Sequence, residues 1–286
     1  MNSIRKVGVL GAGTMGRGIA QVCVQSGCDV VLHDVSGAVL EQARSAIHSG
    51  LAKAVEKGRL TPEAKTAACD RLRITSDLAL VYPADCIIEA VPEKLALKQE
   101  LFAELDQHLA PQAILATNTS SLSITAIAEA TSRPERVIGL HFFNPVPVMK
   151  LLEIIRGKQT SETVLQQTLE FGKQLGKETI VVQDSPGFAT SRLGLALGLE
   201  AMRMMETGVA SAQDIDRAME LGYNHPIGPL KLTDMVGLDV RLSIAEYLFE
   251  KLGSESFRPP QILRNLVAEG KLGKKSGQGF YSWNEE

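Results

Sequence analysis

No apolar run in this chain reaches the ~18 residues needed to cross a membrane. Nor does it carry a strong charge of either sign. Lys and Arg total 30 and Asp and Glu total 33, for a formal net charge of −3 at pH 7. That balance gives no electrostatic case for nucleic acid or a membrane surface as the main partner. Cysteine is scarce: the four residues Cys23, Cys28, Cys69 and Cys86 show no CxxC and no metal-ligand spacing. Such a pattern suits a reducing compartment and argues against a disulfide framework. The five histidines form no metal constellation. There is no internal repeat and no low-complexity stretch. MNSIRK runs directly into apolar sequence, so no signal peptide is expected and the expected location is cytoplasmic. The sequon Asn118-Thr119-Ser120 is then irrelevant to glycosylation.

The stretch from Ile4 to Asp34 organises what is present. Val7, Val9 and Leu10 form a short apolar strand. Gly11-Ala12-Gly13-Thr14-Met15-Gly16 fits GxGxxG, and the chain continues as a helix to Gln25. Gly11 permits the tight turn, Gly13 lets backbone approach a pyrophosphate, and Gly16 lets helix pack close to strand. The helix N-terminus offers unpaired N–H groups and a positive dipole end to phosphates. A second strand starts at Asp29 and ends on Asp34, 18 residues after Gly16. That spacing is near the ~20 of the carboxylate that holds an adenosine ribose. A carboxylate there repels a 2′-phosphate, and no Arg follows in Val35-Ser36-Gly37, so NAD is expected over NADP. Arg17 reads as a solvated helix residue.

Strands alternate with helices as far as Glu178 to Val182. Helices are expected over Gly37 to Lys57, Leu95 to Leu109 and Ser161 to Leu175, and one starting at Thr61-Pro62-Glu63. Strands are expected at Arg71 to Thr75, Asp85 to Val91, Ala113 to Thr117, Arg136 to Phe143 and Met149 to Ile155. This alternation implies an α/β fold, a doubly wound parallel sheet of Rossmann type, with ligands bound beyond the carboxyl ends of the strands. Asp184-Ser185-Pro186-Gly187 marks a boundary. Residues 1–184 form the dinucleotide domain and residues 185–286 an all-helical one. Phe188 to Thr207 is a long helix, apolar enough on most faces to be buried on all sides, and further helix is expected over Lys231 to Leu252. The tail from Gly273 to Tyr281 resembles a P-loop superficially, but its glycine spacing is wrong and no strand precedes it.

His141 ends an apolar strand at the ligand edge. His141 and Glu153 are equally spaced about Pro147, so an antiparallel pair turning near Pro147 would face imidazole against carboxylate. A neutral imidazole can take a proton from an alcohol as hydride leaves the same carbon. Glu153 would fix its tautomer and stabilise the imidazolium. Ser120, just past a strand end, could hydrogen-bond the reacting oxygen. The plainer readings are a hydrogen-bonded core histidine and a carboxylate on an edge strand. His33 reads as structural. Lys57 reads as part of a solvated helix face.

Asn118-Thr119-Ser120-Ser121-Leu122, the run Gly139-Leu140-His141-Phe142-Phe143-Asn144-Pro145-Val146-Pro147 and Glu153 together resemble the L-3-hydroxyacyl-CoA dehydrogenase family. Asp184 to Phe188, Gly228-Pro229, Asp234, Gly237-Leu238-Asp239 and the Gly273 to Tyr281 tail extend the resemblance over essentially the whole chain. It implies an NAD-binding domain joined to a helical dimerisation domain, and reversible oxidation of the 3-hydroxyl of an acyl-CoA, with short chains expected. His141 would be the acid/base, Glu153 its partner, and Ser120 a contact to substrate and cofactor. Glu93, Lys98, Asn118, Asn144 and Lys275 would contact the cofactor, and Lys57 the CoA nucleotide. Ser191 stands where the family has a substrate-binding Asn. A hydroxyl is shorter than an amide and donates one hydrogen bond instead of two. The alternatives are a dehydrogenase of a free hydroxy acid or sugar acid on the same architecture, and a nucleotide-binding protein without catalysis.

The cofactor reading has a direct check. Replacing Asp34 with Ser removes the carboxylate that would face a 2′-phosphate. The ratio of kcat/KM for NADH over NADPH is expected to fall by roughly tenfold or more. A ratio unchanged by the substitution would remove Asp34 from the ribose site.

Overall fold

A computed structural model describes residues 4–283 of the chain. It divides into two compact units, 1–185 and 186–286. The first holds β1 (Lys6–Leu10), α1 (Thr14–Gln25), β2 (Asp29–His33), α2 (Gly37–Glu56), α3 (Pro62–Asp70), β3 (Leu72–Thr75), β4 (Cys86–Glu89) and α4 (Leu95–His108). It continues with β5 (Ile114–Thr117), α5 (Ile124–Ala128), β6 (Val137–Phe142), β7 (Leu151–Arg156), α6 (Glu162–Gln174) and β8 (Glu178–Gln183).

The strands form one sheet in the order β3-β2-β1-β4-β5-β6-β7-β8. Every pairing is parallel except β6 with β7. The chain winds one way from β1 to β3 and the other way from β4 onward, which opens a crevice outside the carboxyl ends of β1 and β4. Strands β4, β5 and β6 are buried along their whole length, as sheets covered on both faces require. The core of this unit gathers Val7, Val9, Ile19, Leu32, Ile88 and Ile154 with α1, α2 and α6.

Local chemistry fixes the helix starts. Ser36, Thr61, Ser123 and Ser161 each accept a backbone N–H as N-caps of α2, α3, α5 and α6, which satisfies an otherwise orphaned donor. Asp184 adds to the start of α5, accepting from Ser123 Oγ at 2.8 Å and from the amides of Ile124 and Thr125. That short helix escapes a periodicity reading because it offers little more than one turn of pattern. Cys23 lies inside α1 and is fully buried, as are Cys28 and Cys86. Burial pushes the thiols of Cys23 and Cys86 well up, which keeps them protonated and inert.

The second unit is helical: α7 (Thr190–Glu206), α8 (Ala212–Tyr223), α9 (Pro229–Val236), α10 (Leu238–Leu252) and α11 (Gln261–Ala268). The helix expected over Lys231 to Leu252 is two helices, broken at Gly237 with φ 106°, a backbone state that a side chain disfavours. Helix α7 is not buried on all sides. Leu195, Leu199 and Met202 form its buried stripe, whereas Leu193 is 71% exposed. Two buried carboxylates tie the tail down. Asp234 accepts from the amides of Phe280 and Tyr281 and from Trp283 Nε1, and Asp216 from the amides of Leu230 and Lys231 and from Tyr281 Oη. The glycines of the tail serve this packing, since a Cβ on Gly279 would lie 2.2 Å from Asp234 Oδ1.

The turn after β1 separates two uses of glycine. A Cβ on Gly16 would meet the carbonyl oxygen of Gly11 at 1.7 Å, whereas a Cβ on Gly13 would meet nothing within 4 Å. Gly16→Ala is therefore expected to cost about 1–3 kcal/mol, read as a drop in the urea midpoint. Gly13→Ala is expected to stay within about 0.5 kcal/mol of the parent and to weaken dinucleotide binding instead. Equal midpoints for the two variants would contradict this division.

Candidate active site

All the parallel strands of the first unit end on one edge, and the polar residues found there come from successive strand ends. Gly11 follows β1 and has φ 92°. Its amide donates to the carbonyl of His33 at 2.8 Å, joining the glycine turn to the end of β2. Asp34 strengthens that joint. Its Oδ2 accepts from Ala12 N at 2.8 Å and its Oδ1 from Ser36 N at 3.0 Å. Helix α1 starts after Gly13 with no side-chain cap, so its first amides stay available to an anion.

These elements bound a cleft of 780 Å³, within the ~300–1,000 Å³ of small-molecule sites. Gly11, Gly13, Thr14 and Met15 form one wall, Asp34 and Val35 another, and Val91, Pro92 and Leu97 a third. Ala12 and Gly16 are buried beneath the turn. His33 also lines the cleft, and burial holds its pKa below the ordinary value. A dinucleotide fits these residues. The uncapped helix start can take phosphates, the open space at Gly13 admits them, and the Asp34 carboxylate in the lining is able to accept a hydroxyl hydrogen bond.

Beyond β4 and β5 a chain of polar groups runs from the core to the surface. Glu89 closes β4 and is fully buried, yet each carboxylate oxygen is satisfied. Oε1 accepts from Val91 N at 2.7 Å and Lys98 Nζ at 2.6 Å, and Oε2 from Thr117 Oγ1 at 2.7 Å. The Lys98 ammonium is 1% exposed and reaches Glu93 Oε2 at 3.3 Å as well. Glu93 Oε1 accepts from Thr119 Oγ1 at 2.5 Å, from Ser120 N at 3.0 Å and from Ser120 Oγ at 3.3 Å. Lys98 thus sits between two carboxylates inside the protein and is absent from the cleft lining. Glu89 was not foreseen from the sequence. The signal was there: an acid closing an otherwise apolar strand, Cys86-Ile87-Ile88-Glu89, with a lysine nine residues on.

The antiparallel pairing of β6 and β7 sets His141 directly opposite Glu153. His141 Nδ1 lies 2.7 Å from Glu153 Oε2. Glu153 is fully buried and His141 is buried too. β7 lies between β6 and β8, so Glu153 is not on an edge strand. The His141 ring also packs on Phe143, centroids 4.4 Å apart at 53°. Asn118 Oδ1 accepts from Phe142 N at 2.8 Å, tying the end of β5 to the end of β6.

Four further anticipated residues lie on other elements. Asn144 is exposed in the loop after β6 and precedes a cis Pro145. Lys57 is exposed at the C-cap of α2. Ser191 lies in the first turn of α7, and Lys275 in the short turn Lys274–Ser276, where its Nζ meets Asp239 Oδ1 at 2.6 Å.

A sequence model of the 3-hydroxyacyl-CoA dehydrogenase NAD binding domain matches residues 6–185, and one of the 3-hydroxyacyl-CoA dehydrogenase C-terminal domain matches residues 187–283. A probable 3-hydroxybutyryl-CoA dehydrogenase of Deinococcus radiodurans is 45% identical over 278 residues, covering 97% of this chain and 100% of that protein. A 3-hydroxyadipyl-CoA dehydrogenase of Escherichia coli is 42% identical over 287 residues, covering 100% of this chain and 60% of the relative. The crystal structure of (S)-3-hydroxybutyryl-CoA dehydrogenase from Ralstonia eutropha matches with TM-score 0.96 at 43% identity, covering 99% of this chain and 100% of that one.

The Glu89–Lys98 pair generates a stability prediction. Removing one partner of a buried ion pair strands the other charge. Glu89→Gln is expected to destabilise the protein by about 3 kcal/mol, read from the shift in denaturant midpoint. An unchanged midpoint would mean that Glu93 alone suffices for Lys98.

Proposed function

This chain belongs to the 3-hydroxyacyl-CoA dehydrogenase family, and on that premise we propose how its own residues carry out the NAD-dependent oxidation of a 3-hydroxyacyl-CoA to the 3-ketoacyl-CoA. The observation that supports the assignment most is the hydrogen bond between His141 Nδ1 and Glu153 Oε2. A carboxylate on Nδ1 selects the tautomer with the proton on that nitrogen. Nε2 is then the nitrogen that takes the proton of the substrate 3-hydroxyl. Glu153 balances the imidazolium that results. Bound NAD supplies the acceptor for the hydride that leaves the same carbon. In the reverse direction His141 returns the proton to the oxygen of the reduced product.

Ser120 orients the reacting oxygen, and its own orientation is set from below. Glu93 accepts both the Ser120 amide and hydroxyl, and Lys98 keeps that acceptor anchored. Glu93, Lys98 and Asn118 thus act in the cofactor site mainly by holding Ser120 and the end of β6. The Gly11 to Gly16 turn (Gly11, Ala12, Gly13, Thr14, Met15, Gly16) and Asp34 bind the dinucleotide, with Asn144 and Lys275 as further cofactor contacts. Lys57 holds the CoA nucleotide, and Ser191 meets substrate through one hydroxyl. Short acyl chains are the substrates, a reading supported by relatives named for 3-hydroxybutyryl-CoA. The protein acts in the cytoplasm as a homodimer through its helical unit, where Leu193, Leu221 and Tyr223 are exposed and a symmetric pairing would cover them.

His141→Ala is expected to lower turnover of acetoacetyl-CoA with NADH by roughly 10²–10⁴-fold while NADH still binds, as fluorescence titration would read. Glu153→Gln is expected to lower turnover less. Undiminished turnover in His141→Ala would sink the assignment.

A further inference from the structure

Arg241 is placed where a cation weakens the fold unless something binds it. It closes the first turn of α10, its amide donating to the carbonyl of Gly237 at 3.0 Å. The positive end of a helix dipole disfavours a cation there. Arg241 is only 7% exposed, and its Nε has no hydrogen-bond partner among the described residues. No carboxylate pairs with the guanidinium among those residues either. Asp239, two positions before it, does not share its helix face and is taken up by Lys275 Nζ at 2.7 Å. Burial lowers the Arg241 pKa to about 10 with no charged neighbour to offset it, so the group is still charged at neutral pH. A buried donor left without an acceptor is costly, and a buried charge ordinarily faces an opposite one.

The surroundings show what the guanidinium faces. Outside its own helix, a Cβ on Gly194 of α7 would meet one atom within 4 Å, Nη1 of Arg241 at 3.8 Å. Gly194 is half-buried, so its missing side chain opens a notch in α7 and the guanidinium forms the wall of that notch. Ser191 lies three residues before Gly194, which puts the two on one helix face with Cβ positions ~5–6 Å apart. Ser191 is the residue read above as meeting substrate. Near the start of α10, Asp239 holds Lys275, read above as a cofactor contact, and a Cβ on Gly237 would lie 3.3 Å from Lys275 Nζ. Met235, Val236 and Val240, at the corner between α9 and α10, are exposed apolar side chains. Apolar surface beside one buried cation suits an acyl chain that ends in an anion.

Resting on the acyl-CoA reading above, we propose that Arg241 is a specificity-determining residue for acyl chains that carry a terminal carboxylate, which the notch at Gly194 admits to the guanidinium. The planar fork of N–H donors matches the two oxygens of a carboxylate. A plain hydrocarbon end leaves those donors unpaired, and a site built to hydrogen-bond its substrate discriminates most strongly in that way. The substrate class is then a 3-hydroxy dicarboxylic acid joined to CoA through one of its carboxyl groups. The chain is short, because Gly194 stands one helical turn from Ser191.

The test compares two thioesters of equal chain length, 3-oxoadipyl-CoA with a terminal carboxylate and 3-oxohexanoyl-CoA without one. Both are reduced with NADH, beside acetoacetyl-CoA, by the parent protein, Arg241→Met and Arg241→Lys. The phosphates of CoA and of the dinucleotide are common to both reactions, so the ratio of the two kcat/KM values reads the terminal carboxylate alone. The parent is expected to favour the carboxylated thioester roughly 10–100-fold, carried mainly by KM. The ratio falls to near one or below in Arg241→Met. In Arg241→Lys, which keeps the charge and loses the fork, it falls to a value between the two, and this variant decides the matter should Arg241→Met fail to fold. A parent that reduces acetoacetyl-CoA yet shows no preference between the longer thioesters overturns the proposal and leaves the acyl-CoA reading standing. A preference that survives the substitutions assigns the carboxylate to another cation and overturns it as well. A parent that reduces none of the three thioesters overturns both.

Discussion

The reversal of strand direction between β6 and β7 is the constraint on which the proposed chemistry depends. Seven neighbouring pairs make the sheet, and this pair alone runs antiparallel. In such a pair residues directly opposite share a face, so the register decides which side chains meet. Here it sets His141 against Glu153. A slip of one residue would turn one of them to the other face of the sheet. Glu153, flanked by strands on both sides and fully buried, would then lose the imidazole opposite it, and removing one partner from a buried charge is costly. The requirement for a paired charge and the requirement for an oriented base therefore select the same register.

The same logic recurs at Glu89. Its carboxylate is as deeply buried as Glu153, and it too is fully engaged, by Lys98, Thr117 and the amide of Val91. From there the order passes outward through Lys98 to Glu93 and on to Ser120. A serine on an exposed loop is a poor positioning group, since its hydroxyl can rotate freely. One whose amide and hydroxyl both point at an anchored carboxylate is held. This edge of the sheet thus rests on two buried carboxylates, one held against His141 and the other linked through Lys98 and Glu93 to Ser120.

Much of this was legible in the sequence because it is local. GxGxxG, Asp34 and the strand–helix alternation fix the first half of the sheet. The equal spacing of His141 and Glu153 about Pro147 was enough to anticipate the paired register. What was not legible depends on packing at a distance. Lys98 matched a cofactor-contacting position, yet its ammonium is drawn inward by Glu89. Arg17 reads as solvated, yet the loop from Asn144 to Pro147 packs over the neighbouring Gly18 and leaves it half-buried. Helical periodicity on both sides masks the break at Gly237, and the apolar composition of α7 does not reveal what covers each of its faces. Asp234 and Asp216 would have passed for surface acids, since their partners lie in the tail far along the chain.

The chemistry proposed for this edge of the sheet requires a thioester of coenzyme A. The most direct test is NADH consumption by the unmodified protein with acetoacetyl-CoA beside free acetoacetate at equal concentration. Rapid oxidation of NADH is expected with the thioester and little with the free acid. Comparable rates with both, or consumption with the free acid alone, would contradict it and make Lys57 a plain surface lysine.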